Sequence, residues 1–507
     1  MPPLLIGGNK KTQTEKMSLC KIRIEHSGNC SQFTQGTLLM DALAEMGVFI
    51  NAPCGGNGRC GKCRILVEGW FSQTDDAKPH QVKDYKIPAC RAHLEGDAIV
   101  RLDREQCEYA NSDTSRQKHF PFAAVDIGTT TVKLRLSDFK STHDYSFSNP
   151  QRRYGHDVIS RIGAAADPVA ASKMQSLIRG AIKNYAGQAE TVSFSGNTTM
   201  LYLLLGLDTS TLGHAPFTAP VRDFCTDSIL NTEKVLILPV ADAFIGADIV
   251  GGVSLAAEMD SASIFFIDIG TNGEMALIVN GRKIIATSCA MGPALEGMNI
   301  SCGISVCEGA VTHIEEQCGR FNFRFTGDTP LGLTGTAMID LLAILLKNGV
   351  IDNSGKVHKT IALPQPAISE AGGIRFFENI IITQQDIRNL QLAKGASLAG
   401  ARFLLDQAGL DQKAVNKVYI AGAFGENLDL GNFRRLGFLP RFENADWSFL
   451  GNTSLRAAER VLTDTDFFLQ AKNVRDRMDS INLSSIPDFQ REYLKALSFD
   501  TGQGGVT

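Results

Sequence analysis

The sequence predicts a multidomain protein of mixed α+β and α/β class, in which a small first domain precedes a larger, internally duplicated one. Strand-like alternation, a helical stretch and a cysteine-rich loop follow one another within residues 18–103. Further on, two apolar runs end in the same four residues, Asp-Ile-Gly-Thr, which begin at positions 126 and 268. Helical stretches alternate with strand-like runs around them, as is typical of layered α/β folds.

Length and composition indicate a globular protein of several domains. A chain of 507 residues suits two to four domains of about 100 to 200 residues each. Hydrophobic residues make up 44% and charged residues 21% of the chain, which excludes disordered, collagen-like and coiled-coil classes. The formal net charge of -4 provides no basic field for phosphate backbones, so we expect no nucleic-acid partner.

No segment has the pattern of a membrane span or a secretory signal. The strongest apolar candidate, 337–346, is interrupted by Asp340 and closed by Lys347, whereas a span needs about 20 apolar residues. Residues 1–17 place their charges after a short apolar run, the reverse of a signal peptide, and we interpret them as a flexible leader. Because reducing compartments keep thiols free, the 12 cysteines favour a cytoplasmic protein without disulfides.

The first domain shows the order strand, turn, strand, helix. Apolar and polar residues alternate from Leu19 onward, and residues 36–43 then take up helical spacing. After a cysteine-rich loop, residues 64–67 and 98–102 predict two more short strands. These elements close a compact α+β domain at about residue 103.

The cysteine-rich loop of this domain has the pattern of a metal site. Residues 54–63 read CGGNGRCGKC, and a fourth cysteine follows at position 90. Cys54, Cys60, Cys63 and Cys90 therefore place three thiolates on one loop and one on a distant segment, which predicts a 2Fe-2S cluster. Glycines allow the loop to wrap the cluster and to aim backbone N–H groups at its sulfurs; they are Gly55, Gly56, Gly58 and Gly61.

Two other interpretations of the loop were weighed. A structural zinc site normally pairs two close cysteine dyads, whereas only Cys60 and Cys63 form one here. The loop also imitates a phosphate-binding Walker A motif, but Cys63 stands where a Ser or Thr would hold Mg²⁺. The later cysteines at 289, 302, 307 and 318 fit neither pattern, and we expect them to be structural thiols.

A polar segment, 104–119, separates this domain from the rest and lacks both strand and helix periodicity. It predicts a tether that lets the first domain move. Beyond it, the apolar runs 120–126 and 263–268 predict buried strands that lead into turns. Helices are expected at 338–348 and 386–408.

The turns after these two strands have the composition of phosphate-binding loops. One reads DIGTTT from Asp126 and the other DIGTNGE from Asp268. Two such turns facing each other can clamp a triphosphate with backbone N–H groups and hydroxyls, while each Asp manages Mg²⁺ or water. A third element, VYIAGAFGE at 418–426, is a strand that leads into small residues, which let the backbone approach a flat adenosine.

Together the three elements resemble the phosphate 1, phosphate 2 and adenosine motifs of the superfamily that contains acetate and sugar kinases, actin and heat-shock chaperones. The resemblance implies two ribonuclease-H-like lobes, 120–260 and 261–465, with ATP and Mg²⁺ in the cleft; the tail 466–507 receives no role. It implies catalytic roles for Asp126, Asp268 and Glu274. The implied nucleotide-binding residues are Gly128, Thr129, Thr130, Thr131, Gly270, Thr271, Asn272, Gly422, Ala423, Phe424 and Gly425.

Segment 18–103 resembles the β-grasp ferredoxins, with the five-residue first gap of the adrenodoxin-like variant. Further segments are similar to one group, the reductive activators of corrinoid proteins, from residue 18 to about 465. They are NPQ at 149–151, YGHDVISR at 154–161, GNTTM at 196–200, GAD at 246–248, CAMGPALEG at 289–297 and GT at 335–336. The run LTGT at 333–336 departs from the more usual CGSG pattern.

This resemblance implies an ATP-hydrolysing iron-sulfur enzyme that reduces Co(II) to Co(I) in a partner corrinoid protein, with an unidentified electron donor and as a homodimer. No histidine lies in the Asp-x-His-x-x-Gly setting of cobalamin-binding proteins, so the corrinoid is expected on the partner. His156 and His214 are expected to be structural rather than axial ligands. Rival interpretations are a small-molecule kinase, an activator of another low-potential enzyme such as a 2-hydroxyacyl dehydratase, and an interaction protein.

Overall fold

The computed structural model describes most of the chain. The described residues are 18–25, 28–46, 48–50, 63–74, 76–102, 107–109, 120–155, 157–224, 229–230, 232, 234–259, 262–270, 272–297, 299–304, 306, 308–358, 367–370, 373–378, 380–483 and 486–499. The chain divides into two units, Met1–Ser112 and Asp113–Thr507. Their boundary falls within the segment 104–119 that the sequence marks as a tether.

The first unit is built on a mixed sheet that carries one short helix. Its elements are β1 (Leu19–Ile24), β2 (Cys30–Thr34), α1 (Leu39–Glu45), β3 (Val48–Ile50), β4 (Arg64–Gln73), β5 (Asp76–Pro88), β6 (Ala92–Arg101) and β7 (Cys107–Tyr109). The strand order is β2-β1-β6-β4-β5, with β1 and β6 parallel and the other neighbours antiparallel. Strand β3 pairs with β7. This arrangement confirms the predicted β-grasp class.

The structure corrects the sequence-based elements of this unit in two respects. Strands β4 and β6 extend well beyond the predicted 64–67 and 98–102, and β5 was not predicted at all. Strand β5 lies at the edge of the sheet, and almost all its described side chains are exposed, with only Ile87 buried. An exposed edge strand carries no alternation of apolar residues, so its sequence resembles a loop.

The second unit alternates strands and helices. Its strands are β8 (Phe122–Ile127), β9 (Thr131–Ser137), β10 (Thr142–Ser148), β11 (Thr191–Gly196), β12 (Lys234–Ile237), β13 (Ile264–Ile269), β14 (Gly273–Val279), β15 (Lys283–Cys289), β16 (Ala310–Val311), β17 (His313–Gln317), β18 (Arg320–Arg324), β19 (Gly332–Leu333), β20 (Ile368–Glu370), β21 (Gly373–Phe377), β22 (Ile380–Ile382), β23 (Lys417–Ala421), β24 (Asp446–Gly451) and β25 (Met478–Ile481). Its helices are α2 (Val158–Ala165), α3 (Pro168–Ala186), α4 (Thr198–Leu205), α5 (Ser210–Gly213), α6 (Ala247–Met259), α7 (Gly335–Lys347), α8 (Gln384–Ala408), α9 (Leu430–Leu436), α10 (Thr453–Thr463), α11 (Thr465–Asp476) and α12 (Phe489–Ala496).

Two sheets of the same topology confirm the predicted duplication. The first has the order β10-β9-β8-β11-β12 and the second contains β15-β14-β13-β23-β24. In each sheet, three consecutive strands form an antiparallel meander, and two parallel strands follow beside the first of the three. This is the ribonuclease-H-like arrangement, and it places Asp126 near the end of β8 and Asp268 at the equivalent point of β13.

Residues 466–483 and 486–499, most of the segment predicted as a tail, pack on the rest of the second unit. Strand β25 pairs in parallel with β15 and extends the second sheet. Helix α12 packs on α8, and α11 packs on α6. The sequence analysis assigned this segment no role because it contains no binding or catalytic motif, although one face of α12 is apolar.

Helix α7, which contains the apolar run 337–346, is a core element of the second unit. It is buried along most of its length and packs mainly against α9 and β17. Within the described residues, no helix combines the length and the apolar character that a membrane span requires.

A buried lysine fastens the carboxyl-terminal helix. Lys394 on α8 has no exposed surface, and its Nζ donates to the carbonyl oxygens of Ala496 at 2.8 Å and Ser498 at 2.6 Å. These carbonyls lie at the end of α12, where helix carbonyls have no partner within the helix. The ammonium group therefore satisfies both and holds α12 against α8.

We expect Lys394→Met to lower the free energy of unfolding by about 2–3 kcal/mol, because two buried carbonyls lose their donor. Thermal or urea unfolding measures the change. Lys413→Met is the matched control, since Lys413 is 60% exposed in its ion pair with Glu443 and should change stability by less than about 1 kcal/mol. If both variants lost the same free energy of unfolding, Lys394 would not hold α12 against α8.

Candidate functional site

Two of the four predicted cluster ligands are described and lie together. Cys63 immediately precedes β4, and Cys90 lies in the turn after β5, which is closed by hydrogen bonds from Ala89 N to Cys63 O and from Arg91 N to Pro88 O. The two Sγ atoms are 3.3 Å apart, and both thiols are buried and free of disulfides. Cys54 and Cys60 lie outside the described residues.

This thiol pair fits a shared metal ion. Two sulfurs on one tetrahedral ion, with bonds of about 2.3 Å, lie about 3.7 Å apart. The observed separation is close to that value, so Cys63 and Cys90 can bind the same iron of a 2Fe-2S cluster with little movement. A thiolate pair alone suits zinc equally well, and the choice between the two depends on the whole loop. The Walker A interpretation concerns residues 56–62, which lie outside the described part of the chain.

The second unit contains a cavity of about 330 Å³ at the ends of β8, β13 and β23. Most residues that the sequence predicts for the nucleotide site line it. They are Asp126, Gly128, Thr129, Thr130, Thr131, Asp268, Gly270, Asn272, Glu274, Gly422 and Phe424. Thr271 lies outside the described residues, as does the side chain of Ala423. Gly425 is not among the lining residues, because it packs behind the cavity against Phe449.

The first loop is a tight hairpin turn between β8 and β9. Gly128 N donates to Thr131 O at 3.1 Å, and a side chain at Gly128 would meet the same carbonyl at 2.5 Å. Only glycine fits this approach. Thr130 Oγ1 donates to Glu296 at 3.3 Å, which joins the first loop to the segment that follows β15.

The second and third elements meet each other. Gly270 N donates to Asn272 O at 3.0 Å, which closes the turn between β13 and β14. Gly422, at φ +92°, follows β23, and a side chain there would lie 2.6 Å from Ile269 O and 2.7 Å from Asp268 Oδ1. A glycine is therefore required where the third element passes the second loop.

Four carboxyl groups line the cavity, three from the two sheets and Asp248 from the first turn of α6, and each is half-buried or buried. Burial raises the pKa of Asp126, against the opposing effect of hydrogen bonds from Ser454 at 2.7 Å and Asn452 at 2.9 Å. Burial and the neighbouring carboxylates raise the pKa of Asp268 to about 7. The pKa of Asp248 also rises to about 7, mainly through burial, and that of Glu274 rises well above its usual range for the same reasons.

These carboxyl groups do not form a ready-made metal site. Among the described residues, no three His, Cys, Asp or Glu side chains stand close enough to hold a metal ion by themselves. Lys133, which lies opposite Asp126 across the hairpin, partly offsets the negative charge on Asp126 and Asp268. A divalent cation at this site would therefore need further oxygen ligands, as phosphates and water supply for Mg²⁺.

The cavity also contains residues to which the sequence analysis gave no role. They are Lys133, Asn197, Asp248, Ile269, Leu295, Glu296, Ile304, Val306, Thr334, Gly335, Thr336, Asn427, Asn452 and Ser454. The sequence contained a signal for two of them, Asn197 and Asn452. GNTT at 196–199 and GNTS at 451–454 are near-repeats, and in both the Asn follows a strand and is the N-cap of the next helix.

The later cysteines were expected to be structural thiols, and the structure describes three of them, Cys289, Cys302 and Cys318. Cys289 and Cys302 are buried, and burial raises the pKa of each thiol. Cys318 is exposed in the turn between β17 and β18, so the expectation of a small buried thiol is wrong for it. His214 bonds to the backbone oxygen of Ser210 at 2.9 Å. Cys307 and His156 lie outside the described residues.

The buried carboxyl groups predict a dependence of stability on pH. The folded-state pKa of Asp268, about 7, lies above the value of about 3.9 for an Asp in an unfolded chain. The folded protein therefore binds more protons between these values, and its stability falls as pH rises through that range. Without nucleotide or Mg²⁺, Asp268→Asn should therefore be more stable than the native protein at pH 8, by on the order of 2 kcal/mol. Denaturant unfolding measures the difference.

The advantage of Asp268→Asn should shrink as the pH falls and approach zero below about pH 3, where the native carboxyl group is protonated in both the folded and the unfolded state. Asp446→Asn serves as the control, because Asp446 is exposed at the start of β24. Its effect should be small at every pH. If Asp268→Asn were less stable than the native protein at pH 8, the raised pKa of Asp268 would not account for the pH dependence of stability.

Profiles of three domain families match consecutive parts of the chain. The profile described as the "2Fe-2S iron-sulfur cluster binding domain" matches residues 22–95. The profile described as the "RACo middle region" matches 122–262, and that described as the "C-terminal domain of RACo the ASKHA domain" matches 262–504. The first match favours a 2Fe-2S cluster over zinc at the cysteine loop.

Individual relatives match over most of the chain. "Corrinoid activation enzyme RamQ" of Eubacterium limosum is 27% identical, over 92% of this chain and 97% of that protein. "[Co(II) methylated amine-specific corrinoid protein] reductase" of Methanosarcina barkeri is 26% identical, over 56% of this chain and 54% of that protein. The solved structure "Reductive activator for corrinoid,iron-sulfur protein" has a TM-score of 0.67 at 25% identity and covers 95% of this chain and 98% of that one.

These matches agree with the geometry of both units. The cysteine pair lies in the ferredoxin-type domain. The cavity is lined by the sheet of the RACo middle region and by that of the ASKHA domain, and the ASKHA fold implies ATP binding. The relatives that match are named as activation enzymes or reductases, so the chain is an enzyme. It belongs to the RACo family, the reductive activators of corrinoid proteins.

Proposed function

We propose that this protein uses ATP to reduce a partner corrinoid protein by one electron, from Co(II) to Co(I). The observation that carries the proposal is the union in one chain of a buried thiol pair, Cys63 and Cys90, with a cavity that gathers two Asp-Ile-Gly-Thr turns. The printed names of the relatives support the acceptor, since they refer to corrinoid activation and to a Co(II) corrinoid protein reductase.

The first unit would carry the electron. Cys54, Cys60, Cys63 and Cys90 are the proposed cluster ligands, and Cys63 with Cys90 would share one iron. A bound 2Fe-2S cluster supplies a one-electron carrier, with a potential near about -400 mV in plant-type ferredoxins. The chain's own contribution is a buried thiol pair that excludes water from one side of the cluster and fixes its position in the sheet.

The second unit would bind MgATP in the cavity. The backbone N–H groups and hydroxyls of 128–131 and 270–272 would hold the phosphates from opposite sides, and Gly422 with Phe424 would lie beside the adenosine. Asp126 and Asp268 would hold Mg²⁺ through its water or directly, with phosphate oxygens completing the shell. Phosphates would thus supply the ligands that the carboxyl groups lack.

Hydrolysis needs a base near neutral pH, and the cavity offers one besides the two carboxyl groups that would hold Mg²⁺. Burial raises the pKa of Asp248 to about 7, which is suited to taking a proton from an attacking water. Glu274 stands opposite Asp268 in the β13–β14 register and strengthens the charge repulsion. Water attacks the γ-phosphate, the base takes its proton, and ADP leaves with inorganic phosphate.

ATP would make an uphill electron transfer accessible. Each 100 mV by which the cobalt lies below the cluster costs about 2.3 kcal/mol for one electron. Nucleotide binding would favour a complex in which the cobalt has lost an axial ligand, and hydrolysis would release the partner. The cytoplasmic location and the homodimer remain predictions, and the sequence does not specify the electron donor.

An anaerobic assay tests whether the first unit transfers the electron while the second hydrolyses ATP. Dithionite-reduced protein, MgATP and a Co(II) corrinoid protein are mixed, and Co(I) is followed by its visible absorbance. Cys63→Ala should abolish Co(I) formation while leaving nucleotide affinity unchanged within about twofold, because the two sites use different residues. Asp268→Ala should keep the iron content and visible spectrum of the protein but lower its ATPase rate by about 100-fold or more.

Cys30→Ala is the matched control for the first variant. Cys30 is an exposed thiol of the same unit, on β2 and outside the cysteine loop, and its loss should leave Co(I) formation intact. The proposal fails if Cys63→Ala and Asp268→Ala both reduce the corrinoid at the native rate, or if the native protein, reconstituted without oxygen, contains no iron.

A further inference from the structure

Two residues hold the backbone of the first loop from the side opposite the cavity. Asn149 Nδ2 donates to Gly128 O at 2.8 Å, Arg161 Nη2 donates to Thr129 O at 2.5 Å, and Asn149 N donates to Thr130 O at 2.9 Å. Three successive carbonyls of the loop are thus turned toward Asn149 and Arg161. We call this pair the loop clamp.

The loop clamp determines where the loop's donors point. In a trans peptide the C=O and the following N–H lie in one plane and point in opposite directions. Because the carbonyls of 128–130 face the loop clamp, the N–H groups of the next residues point toward the other side of the loop. That side is the cavity, which Thr129, Thr130 and Thr131 line.

Arg161 is an unusual residue for this task. Its side chain has no exposed surface, and its other donors bond to Gly155 O at 2.9 Å and to Met200 Sδ at 3.0 Å. All three of its acceptors are uncharged. Among the residues that the structure describes, Arg161 forms no ion pair.

The charge of Arg161 is nevertheless retained. Burial lowers its pKa to about 9, and Arg152 adds to this effect, while Asp157 acts weakly in the other direction. The guanidinium therefore remains protonated at neutral pH. A buried cation without an anionic partner is unfavourable, and such groups are normally paired. Replacing it by a neutral hydrogen-bonding side chain should not destabilise the fold for electrostatic reasons.

We propose that Arg161 is a positioning residue and that its unpaired positive charge, one peptide group behind the first loop, attracts a bound polyphosphate. It orients the loop together with Asn149, and it supplies a positive charge that the described protein leaves unpaired. The ligand class is a nucleoside di- or triphosphate with Mg²⁺. The inference rests on the proposed nucleotide site and goes beyond it by assigning part of the phosphate affinity to a residue outside the cavity.

The test uses the full chain and Arg161→Gln, which keeps hydrogen-bond donors but removes the charge. Dissociation constants for MgATP, MgADP and adenosine are measured by titration calorimetry or competition. We expect those for MgATP and MgADP to rise about 10- to 100-fold and that for adenosine to change less than about twofold. Without ligand, the melting temperature should stay equal or rise, because a buried unpaired charge has been removed.

Arg179→Gln is the matched control. Arg179, on α3, also donates to a backbone carbonyl, Leu204 O, at 2.8 Å, but that carbonyl belongs to α4 and not to the first loop. Its loss should leave all three dissociation constants unchanged. Arg161→Lys, which keeps the charge without the planar fork, should recover part of the phosphate affinity.

Asn149→Asp provides a second test if Arg161→Gln does not fold. The carboxylate can still accept from Gln151 N, as the amide does at 2.9 Å, but it cannot donate to Gly128 O. It also brings an anion to the buried guanidinium, since Asn149 and Arg161 share Met200 Sδ as an acceptor. Phosphate affinity should fall again while adenosine affinity holds.

Two results would overturn the inference. One is native MgATP and MgADP affinity in Arg161→Gln or, should that variant not fold, in Asn149→Asp. The other is a parallel loss of affinity for all three ligands together with a lower melting temperature, which would make Arg161 a purely structural residue. If the native protein binds neither MgATP nor MgADP, the proposed nucleotide site is wrong. This outcome differs from one in which the native protein binds both nucleotides but Arg161→Gln does not change the affinity, which would refute only the role of the loop clamp.

Discussion

The gathering of four carboxyl groups in one partly buried cavity is the constraint on which the second unit depends. Asp126, Asp248, Asp268 and Glu274 converge in one cavity, and each would be more stable in water. Only a rigid framework can hold like charges together. The two sheets supply it, because the first strand of each has an Asp as its second-to-last residue. Hydrogen bonds from Asn452 and Ser454 hold one of them, Asp126, in place.

The duplication explains how both halves reach the same site. In each sheet the first strand leads into a tight turn that contains a glycine. In the first sheet, Gly128 lies too close to the backbone for any side chain. In the second, it is Gly422, next to the turn of Gly270, that lies too close to the backbone for a side chain. The halves then diverge at the residue opposite the Asp, which is Lys133 in one sheet and Glu274 in the other. One repeat therefore lowers the negative charge at the cleft and the other raises it.

The sequence predicted what depends on short motifs and missed what depends on distant contacts. Paired Asp-Ile-Gly-Thr turns behind apolar strands indicated the duplicated class and most of the lining residues, because those residues follow their strands directly. The roles of Asn452 and Ser454 were not predicted, because their hydrogen-bond partner Asp126 is more than 300 residues away in the sequence. Strands β5 and β25 escaped because an exposed edge strand and a short polar strand carry no apolar alternation.

The cavity brings together unfavourable charges of both signs. Carboxyl groups with raised pKa values face it, and the guanidinium of Arg161, which forms no ion pair among the described residues, lies behind its first loop. A cation alone would offset the charge of the carboxyl groups, and an anion alone would offset that of the guanidinium. A magnesium nucleotide would carry both charges in one ligand, so in the proposed function its binding would offset both together. Part of that binding energy would be lost again when the γ-phosphate departs, which would give the two nucleotide states different affinities for the cavity.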